Sequence, residues 1–241
     1  MATTGFRGPI GSLGETSTAS AWSPHSVPGT GDLYPIMPFR WLLDRLFPVQ
    51  ATNRRDYDAW AARGFAAPSP PYIKRTVCLR AGLPGATWVE TGTYRGETTA
   101  VLARVARRVY SIEPEPKLLA RARARFLTTP NVEILGGLSE EILPALLPRI
   151  SGDVCFWLDG HYSEGETFQG PKDTPIIEEL AAIAAVAPRL DRLVVMVDDV
   201  RCFDPSQHGF ADYPPKTYLI GWAERLGLVW HIEHDIFIAQ R

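Results

Sequence analysis

Short apolar runs alternate with amphipathic segments over the last two thirds of the chain. Residues 154–158 and 193–197 contain no charged side chain, which is typical of strands buried on both faces of a parallel sheet. The pattern predicts strands at residues 87–91, 109–113, 132–135, 154–159, 193–197, 228–232 and 236–239, with helices at 96–107, 116–127, 139–147, 176–187 and 216–226. We therefore expect an α/β fold with a seven-stranded, mostly parallel sheet, helices on both faces and an antiparallel C-terminal hairpin strand.

Two segments of different character precede this alternating region. More than half of residues 1–36 are Gly, Pro, Ser or Thr, without a helical or strand period, and we expect a flexible arm. An extended lid or an arm exchanged between subunits is the alternative. Residues 37–82 have helical spacing, with Pro70 and Pro71 opening a helix, and predict an N-terminal helical cap on a main domain at 83–241. No chemistry is evident in the cap.

Composition narrows the function classes. The chain has 241 residues, 45% of them hydrophobic, and its 25 basic and 27 acidic side chains give a formal net charge of -2. Binding to nucleic acid or to an anionic membrane requires an excess of cations. The longest apolar run, residues 180–187, is far shorter than the roughly 20 residues of a membrane span, and no signal peptide is evident. We expect a cytoplasmic protein with neither nucleic acid nor membrane as partner.

The candidate chemistry begins where the first strand ends. Residues 90–96 read Glu-Thr-Gly-Thr-Tyr-Arg-Gly. Gly92 permits a tight turn, and Gly96 allows the next helix to begin close to a ligand. Tyr94 stands where dinucleotide-binding sequences have a glycine that admits a pyrophosphate. The turn therefore favours a cationic ligand without phosphate, with an ordinary strand-to-helix turn as the alternative.

A carboxylate ends the second strand. Glu113 follows Gly96 by 17 residues, and an acid at this position of a nucleotide-binding sheet accepts both hydroxyl hydrogens of a ribose. The alternative is an exposed glutamate that opens the next helix. The glycine turn and the acid occur together in the expected order, which favours the ribose role.

With this turn and this acid, residues 86–240 resemble the class I S-adenosylmethionine-dependent methyltransferases. The resemblance implies a Rossmann-like fold and S-adenosylmethionine as cofactor. It implies that the turn surrounds the methionine end, that Glu113 holds the ribose and that residues 137–140 lie beside the adenine. The cofactor-binding residues implied are Glu90, Gly92, Thr93, Tyr94, Gly96, Glu113, Ser139 and Asp159.

Acidic side chains follow the fourth and fifth strands. Asp159 ends one, and Asp198 with Asp199 ends the other, so adjacent strands would bring three carboxylates together. Like charges at one site need a compensating cation, and hard oxygen ligands favour Mg²⁺ or a similar divalent ion. Alternatively, Asp159 binds the ammonium group of the cofactor and the aspartate pair caps a loop with Arg201 as its partner.

This constellation resembles the metal-dependent O-methyltransferases of the catechol and macrolide-sugar types. The resemblance implies a divalent metal held by Asp159, Asp198 and Asp199, and a hydroxyl acceptor on a sugar or natural product. His161 stands where sugar-type enzymes have an aspartate, and Tyr162 where catechol-type enzymes have a lysine. We take His161 as the candidate base and Asp159 as a second catalytic residue; a hydrogen-bonded loop histidine is the alternative.

The function predicted from the sequence is therefore methyl transfer to a hydroxyl of a small molecule, assisted by a metal, in natural product biosynthesis. The alternatives are a metal-free N- or O-methyltransferase, a non-catalytic protein that binds S-adenosylmethionine, and a nicotinamide-dependent oxidoreductase on a similar sheet. The small-molecule acceptor is the expected partner, and a homo-oligomer is left open.

Overall fold

The computed structural model describes residues 51–160, 174–207 and 209–241. All of these residues belong to one compact unit. The predicted arm, the first part of the predicted cap and the candidate base His161 lie outside the described residues.

Seven strands and seven α-helices make up the described part of the chain. The strands are β1 (Thr87–Thr91), β2 (Arg108–Glu113), β3 (Val132–Gly136), β4 (Val154–Leu158), β5 (Leu193–Val197), β6 (Val229–Glu233) and β7 (Ile236–Gln240). The helices are α1 (Ala51–Ala62), α2 (Pro71–Ala81), α3 (Glu97–Leu102), α4 (Pro116–Arg125), α5 (Ser139–Leu146), α6 (Ile176–Val186) and α7 (Lys216–Arg225). The predicted α/β class is confirmed.

All seven strands belong to one sheet, in the order β3-β2-β1-β4-β5-β7-β6. Neighbouring strands from β3 to β5 are parallel, and β7 is antiparallel to both β5 and β6. The predicted antiparallel hairpin is therefore confirmed. Its turn has positive φ angles at His234 (49°) and Asp235 (69°), as a two-residue hairpin turn requires. The strand order reverses between β1 and β4, which is where ligands bind in open parallel sheets.

Both faces of the sheet are covered by helices. On one face, α5, α6 and α7 pack on apolar side chains such as Val89, Phe156 and Val195. On the other face, α2 and α3 pack on side chains that include Trp88 and Trp157. Alternate residues of β1 and β4 thus enter opposite cores, which explains why every residue of both strands is buried. Among the described helices, none combines the length and apolar character needed to cross a bilayer.

Helix α2 belongs to the layer that covers the sheet. Its Val77 and Cys78 are fully buried in the same cluster as Trp88 and Trp157. The sequence placed this helix in the predicted cap, where no chemistry was evident. Its packing brings the N-terminal end of α2 close to the carboxyl ends of the central strands, with consequences for the functional site.

Helix α3 is shorter than predicted. It ends at Leu102 instead of residue 107, because carbonyl groups beyond that point are bound elsewhere. Asn131 Nδ2 donates to the carbonyl oxygens of Ala103 (2.8 Å) and Ala106 (3.1 Å), and Gly85 N donates to Val105 O (2.9 Å). Tertiary hydrogen bonds thus replace the last helical turn.

We expect Asn131→Ala to destabilise this region. Two partly buried carbonyl groups would lose their donor, and a lost hydrogen bond of this kind costs about 1–3 kcal/mol of unfolding free energy. Urea unfolding measures the change. Asn53→Ala on α1 is the control and should have little effect; equal stability of both variants would contradict the role of Asn131.

Candidate functional site

The ends of β1, β4 and β5 form the centre of the candidate site. Thr91 pairs with Leu158, and Leu158 pairs with Val197, so the residues that follow each strand lie side by side. Gly92 has φ of +84°, and a Cβ there would lie 2.4 Å from the carbonyl oxygen of Asp159. Only glycine fits both the left-handed backbone and this close approach. The glycine turn and Asp159 are therefore in contact, in keeping with the prediction that both belong to one site.

The turn after β1 is bonded directly to the acid after β2. Tyr94 N donates to Glu113 Oε2 (2.7 Å), and Glu115 N donates to Glu113 Oε1 (2.9 Å). Burial raises the pKa of Glu113, while the two N–H groups act in the opposite direction. Each carboxylate oxygen keeps a second lone pair for another donor. Tyr94 adopts a positive φ of 49° in this turn.

Glu90 lies behind the turn in a buried network of hydroxyl groups. Its Oε2 accepts from Thr99 Oγ1 (2.6 Å) and from Ser111 Oγ (2.5 Å), and Ser111 Oγ is 2.6 Å from Thr93 Oγ1. Burial raises the pKa of Glu90 to about 7, and the bonds from Ser111 and Thr99 only partly offset it. Glu90 thus connects the turn to α3 and β2.

The three predicted aspartates converge. Asp159, Asp198 and Asp199 each offer a carboxylate oxygen within 4.8 Å of the others. Asp198 and Asp199 are buried, and Asp199 has a positive φ of 56°. Burial and the neighbouring Asp159 raise the pKa of Asp198 to about 8, although Lys74 acts in the opposite direction.

Lys74 of α2 is paired with two of these aspartates. Its Nζ lies 2.7 Å from Asp198 Oδ1 and 2.9 Å from Asp198 Oδ2, and it also donates to Asp199 Oδ1. Burial alone would lower the pKa of Lys74, but the charges of Asp198 and Asp199 outweigh burial and raise it. The sequence analysis missed this residue. The available signal was weak: Lys74 is one of four lysines in the chain and lies among buried positions of α2.

Arg201 binds one member of the aspartate pair, Asp199. Its Nη1 donates to Asp199 Oδ1 and to Asp235 Oδ2, and its backbone N donates to Asp235 Oδ1 (2.8 Å). The partnership of Arg201 with the aspartate pair was the structural alternative raised from the sequence. Both cations raise the stability of ionised carboxylates in this buried place.

A divalent metal ion does not fit this arrangement while Lys74 is in place. Three carboxylates within 4.8 Å have the donor chemistry of a Mg²⁺ site. The ammonium of Lys74, however, already binds Asp198 and Asp199, and it would compete with an ion for the same oxygens. The predicted metal site of Asp159, Asp198 and Asp199 therefore disagrees with the contacts of Lys74, and no step below depends on an ion.

A pocket of about 380 Å³ opens beside the turn and the aspartates. Gly92, Thr93, Tyr94 and the three aspartates line it, as the sequence predicted for a common site. The other lining residues are Pro68, Ser69, Pro71, Lys74, Arg75, Arg95, Glu97, Thr98, Trp157 and Arg201.

Four of the predicted cofactor residues do not line this pocket: Glu90, Gly96, Glu113 and Ser139. Glu113 is bonded to the turn at Tyr94 N, and Glu90 is connected with the turn through Ser111 and Thr93. Gly96 has φ of +73°, and a Cβ there would lie 2.7 Å from the Phe126 ring, so its role is close packing at the start of α3. Ser139 is buried at the first position of α5.

Titration of Glu90 should make stability depend on pH. Burial raises the pKa of its carboxyl to about 7 in the folded chain, from the ordinary glutamate pKa of 4.5. Its contribution is therefore fully present below pH 4.5 and is lost as pH rises through about 7. Relative to the wild type, Glu90→Gln should gain roughly 2–4 kcal/mol of unfolding free energy between about pH 5 and pH 8.

Urea unfolding at both pH values, without added nucleoside, measures this gain. Glu97→Gln is the control, because the Glu97 side chain is 62% exposed and should show no comparable pH dependence. Parallel pH profiles for the wild type and Glu90→Gln would contradict the assignment.

Comparison with known proteins shows that the chain is similar to methyltransferases. No protein-family model matches it. It is 47% identical over 88 residues to protein-L-isoaspartate O-methyltransferase 1 of Anaeromyxobacter sp. (36% of this chain, 42% of that protein). It is 37% identical over 109 residues to a protein-L-isoaspartate O-methyltransferase of Methylobacillus flagellatus (43% of this chain, 49% of that protein). The chain thus spans less than half the length of these two curated relatives.

A solved structure extends the similarity to most of the chain. An O-methyltransferase from Bacillus cereus, in complex with SAH (S-adenosylhomocysteine), matches 83% of this chain and 94% of its own, with a TM-score of 0.51 and 18% identity. That level of identity establishes the fold. The sheet order agrees with that fold, and the two sequence matches support the resemblance to S-adenosylmethionine-dependent methyltransferases.

Proposed function

We propose that this chain transfers the methyl group of S-adenosylmethionine to a hydroxyl oxygen of a small polar molecule. The contact between Tyr94 N and Glu113 Oε2 carries the proposal, because it joins the turn after β1 to the acid after β2. A nucleoside bound against the turn would meet the carboxylate of Glu113 with its ribose hydroxyls. The bound cofactor supplies an electrophilic methyl group on a positively charged sulfur.

The residues of the chain hold the reacting groups and accept no methyl group themselves. Glu113 is preorganised by two backbone N–H groups, so its oxygens need no reorientation to accept ribose hydroxyls. The buried carboxylates of Asp198 and Asp199 line the same pocket as the turn. Their negative charge favours a cationic ligand there. Catalysis then consists mainly of alignment, together with removal of one proton from the acceptor.

The pocket favours a small, polar acceptor. Its volume of about 380 Å³ lies at the lower end of the range for small-molecule sites. Charged side chains form much of its wall, and Trp157 adds one flat aromatic surface. A sugar or a polar natural product has the hydroxyl density that such a wall can bind. His161 remains the predicted base, and Asp159 the second predicted catalytic group.

An acceptor carboxylate is the second candidate. Four cationic side chains line the pocket, Lys74, Arg75, Arg95 and Arg201, and they favour an anionic acceptor. The matching relatives are named as protein-L-isoaspartate O-methyltransferases, which is in keeping with methyl ester formation. The proposal of a small-molecule hydroxyl and this candidate share the cofactor site and differ in the product.

Three other expectations stay predictions. The formal net charge of -2 favours neither nucleic acid nor an anionic membrane as partner. Cytoplasmic location and a role in natural product biosynthesis are proposed on the sequence pattern alone. A protein that binds the cofactor without transferring its methyl group would share the Glu113 contact, and the product assay below separates it.

We expect Glu113→Gln to weaken nucleoside binding. A hydrogen bond to a charged group contributes about 1.5–3 kcal/mol, and each 1.4 kcal/mol is a factor of ten, so affinity for S-adenosylhomocysteine should fall about 10- to 100-fold. Calorimetry with the full chain measures it. Glu141→Gln on the exposed side of α5 is the control. Unchanged affinity of Glu113→Gln would refute the cofactor site.

The product decides between the two acceptor classes. The chain would be incubated with S-adenosylmethionine carrying a tritium-labelled methyl group and with the small-molecule and protein fractions of a cell extract. We expect label in the small-molecule fraction that survives mild base, because an ether is stable there while a methyl ester releases methanol. Base-labile label in the protein fraction would favour the second candidate, and absence of label in both would favour a binding protein.

A further inference from the structure

The aspartate cluster brings three carboxyl groups together in a buried place, where their negative charge needs a cation to offset it. Asp198 and Asp199 are 5% and 7% exposed, and Asp159 lies within 4.8 Å of both. Burying like charges together is costly unless a cation binds them. In a metal-dependent enzyme a divalent ion supplies that positive charge. In this chain the ammonium group of Lys74 binds two of the three aspartates.

We propose that Lys74 takes the place of a divalent metal ion in this cluster and excludes one. Its Nζ binds both oxygens of Asp198, at 2.7 and 2.9 Å, and one oxygen of Asp199. An ion held by all three aspartates would need, at about 2.0–2.1 Å, an oxygen of Asp198 that Nζ already binds. The ammonium and the ion therefore compete for one position.

The position of Lys74 is fixed by the packing of α2. Val77 and Cys78, on the next turn of the helix, are fully buried against the sheet. The Lys74 side chain is only 12% exposed, and its ammonium remains charged because the two aspartates raise its pKa. Turning Lys74 out into solvent would leave Asp198 buried without this partner. An incoming ion would have to offset that cost as well as its own dehydration.

Arg201 reduces the demand for a metal further. It binds Asp199 on the oxygen that Lys74 also binds, and it binds Asp235 of the hairpin turn. Two cations thus share Asp199 Oδ1, which leaves this oxygen a poor ligand for a third. The negative charge of the cluster is thus offset in part from two separate parts of the chain.

The consequence for methyl transfer rests on the proposed function. Lys74 lines the pocket beside Asp159, so its positive charge lies near the place of the acceptor. A single fixed positive charge then does the electrostatic work for which metal-dependent enzymes use an ion. Turnover should persist in excess chelator.

The test is Mn²⁺ binding to the full chain, measured by calorimetry and by the electron paramagnetic resonance signal of free Mn²⁺. Carboxylate sites bind divalent ions with dissociation constants of about 1 mM or tighter. We expect no stoichiometric binding to the wild type in that range. Lys74→Met should bind one Mn²⁺ at least about tenfold more tightly than the wild type. Arg75→Met is the matched control, because it removes a neighbouring pocket cation and should behave like the wild type.

The double variant Lys74→Met, Asp198→Asn should lose the gained Mn²⁺ binding, which places it at the cluster. Stoichiometric Mn²⁺ binding by the wild type at this cluster would overturn the proposal, and so would a folded Lys74→Met chain that binds no Mn²⁺. If Lys74→Met does not fold, Lys74→Gln replaces it, and the wild-type measurement still decides.

Calorimetry with S-adenosylhomocysteine on the same wild-type sample separates this proposal from the proposed function. A wild type that excludes Mn²⁺ but binds no nucleoside leaves the role of Lys74 intact and removes the methyltransferase assignment. A wild type that binds both Mn²⁺ and the nucleoside overturns the role of Lys74 and leaves the methyltransferase assignment intact.

Discussion

Carboxylates buried at the carboxyl edge of the sheet must be balanced by cations, and the candidate site depends on where those cations originate. Lys74 comes from α2, whereas Arg201 follows β5 and is held by Asp235 in the final hairpin. Both cations are in place only when α2 is docked on the sheet and the hairpin has closed. The pocket is therefore coupled to the assembly of the fold, although its three aspartates all follow the ends of two strands.

A second constraint is the close approach of two backbone segments. Gly92 lies so close to the Asp159 carbonyl that a Cβ would not fit, so the turn after β1 is in direct contact with the first residue of the aspartate cluster. On the buried side of the turn, Glu90 accepts hydrogen bonds from Thr99 and Ser111, and Ser111 contacts Thr93. The turn is thus fixed by backbone contact on one side and by a buried network on the other. Such preorganisation suits a reaction that relies on alignment.

The sequence predicted the sheet well because strands buried on both faces must be apolar. The bounds of β1 and β5 agree exactly with prediction, and the convergence of the aspartates follows from strand adjacency. The length of α3 was overestimated, because Asn131, distant in sequence, binds the carbonyl groups that a longer helix would use. Lys74 was missed for a similar reason: it lies 124 residues before Asp198, and only the docking of α2 brings them together.

The identity of the cation affects what the cluster can recognise. With all three aspartates ionised, the cluster with one ammonium carries one more negative charge than the same cluster with a divalent ion. Burial and the negative charge of the neighbouring aspartates raise the pKa of Asp198, and Lys74 offsets that charge only in part. On the proposed function, the positively charged sulfur of the cofactor relieves part of it, whereas the neutral sulfur of the product does not. A site compensated by lysine would therefore discriminate between cofactor and product more strongly than a metal-filled one, which favours release of the product after transfer.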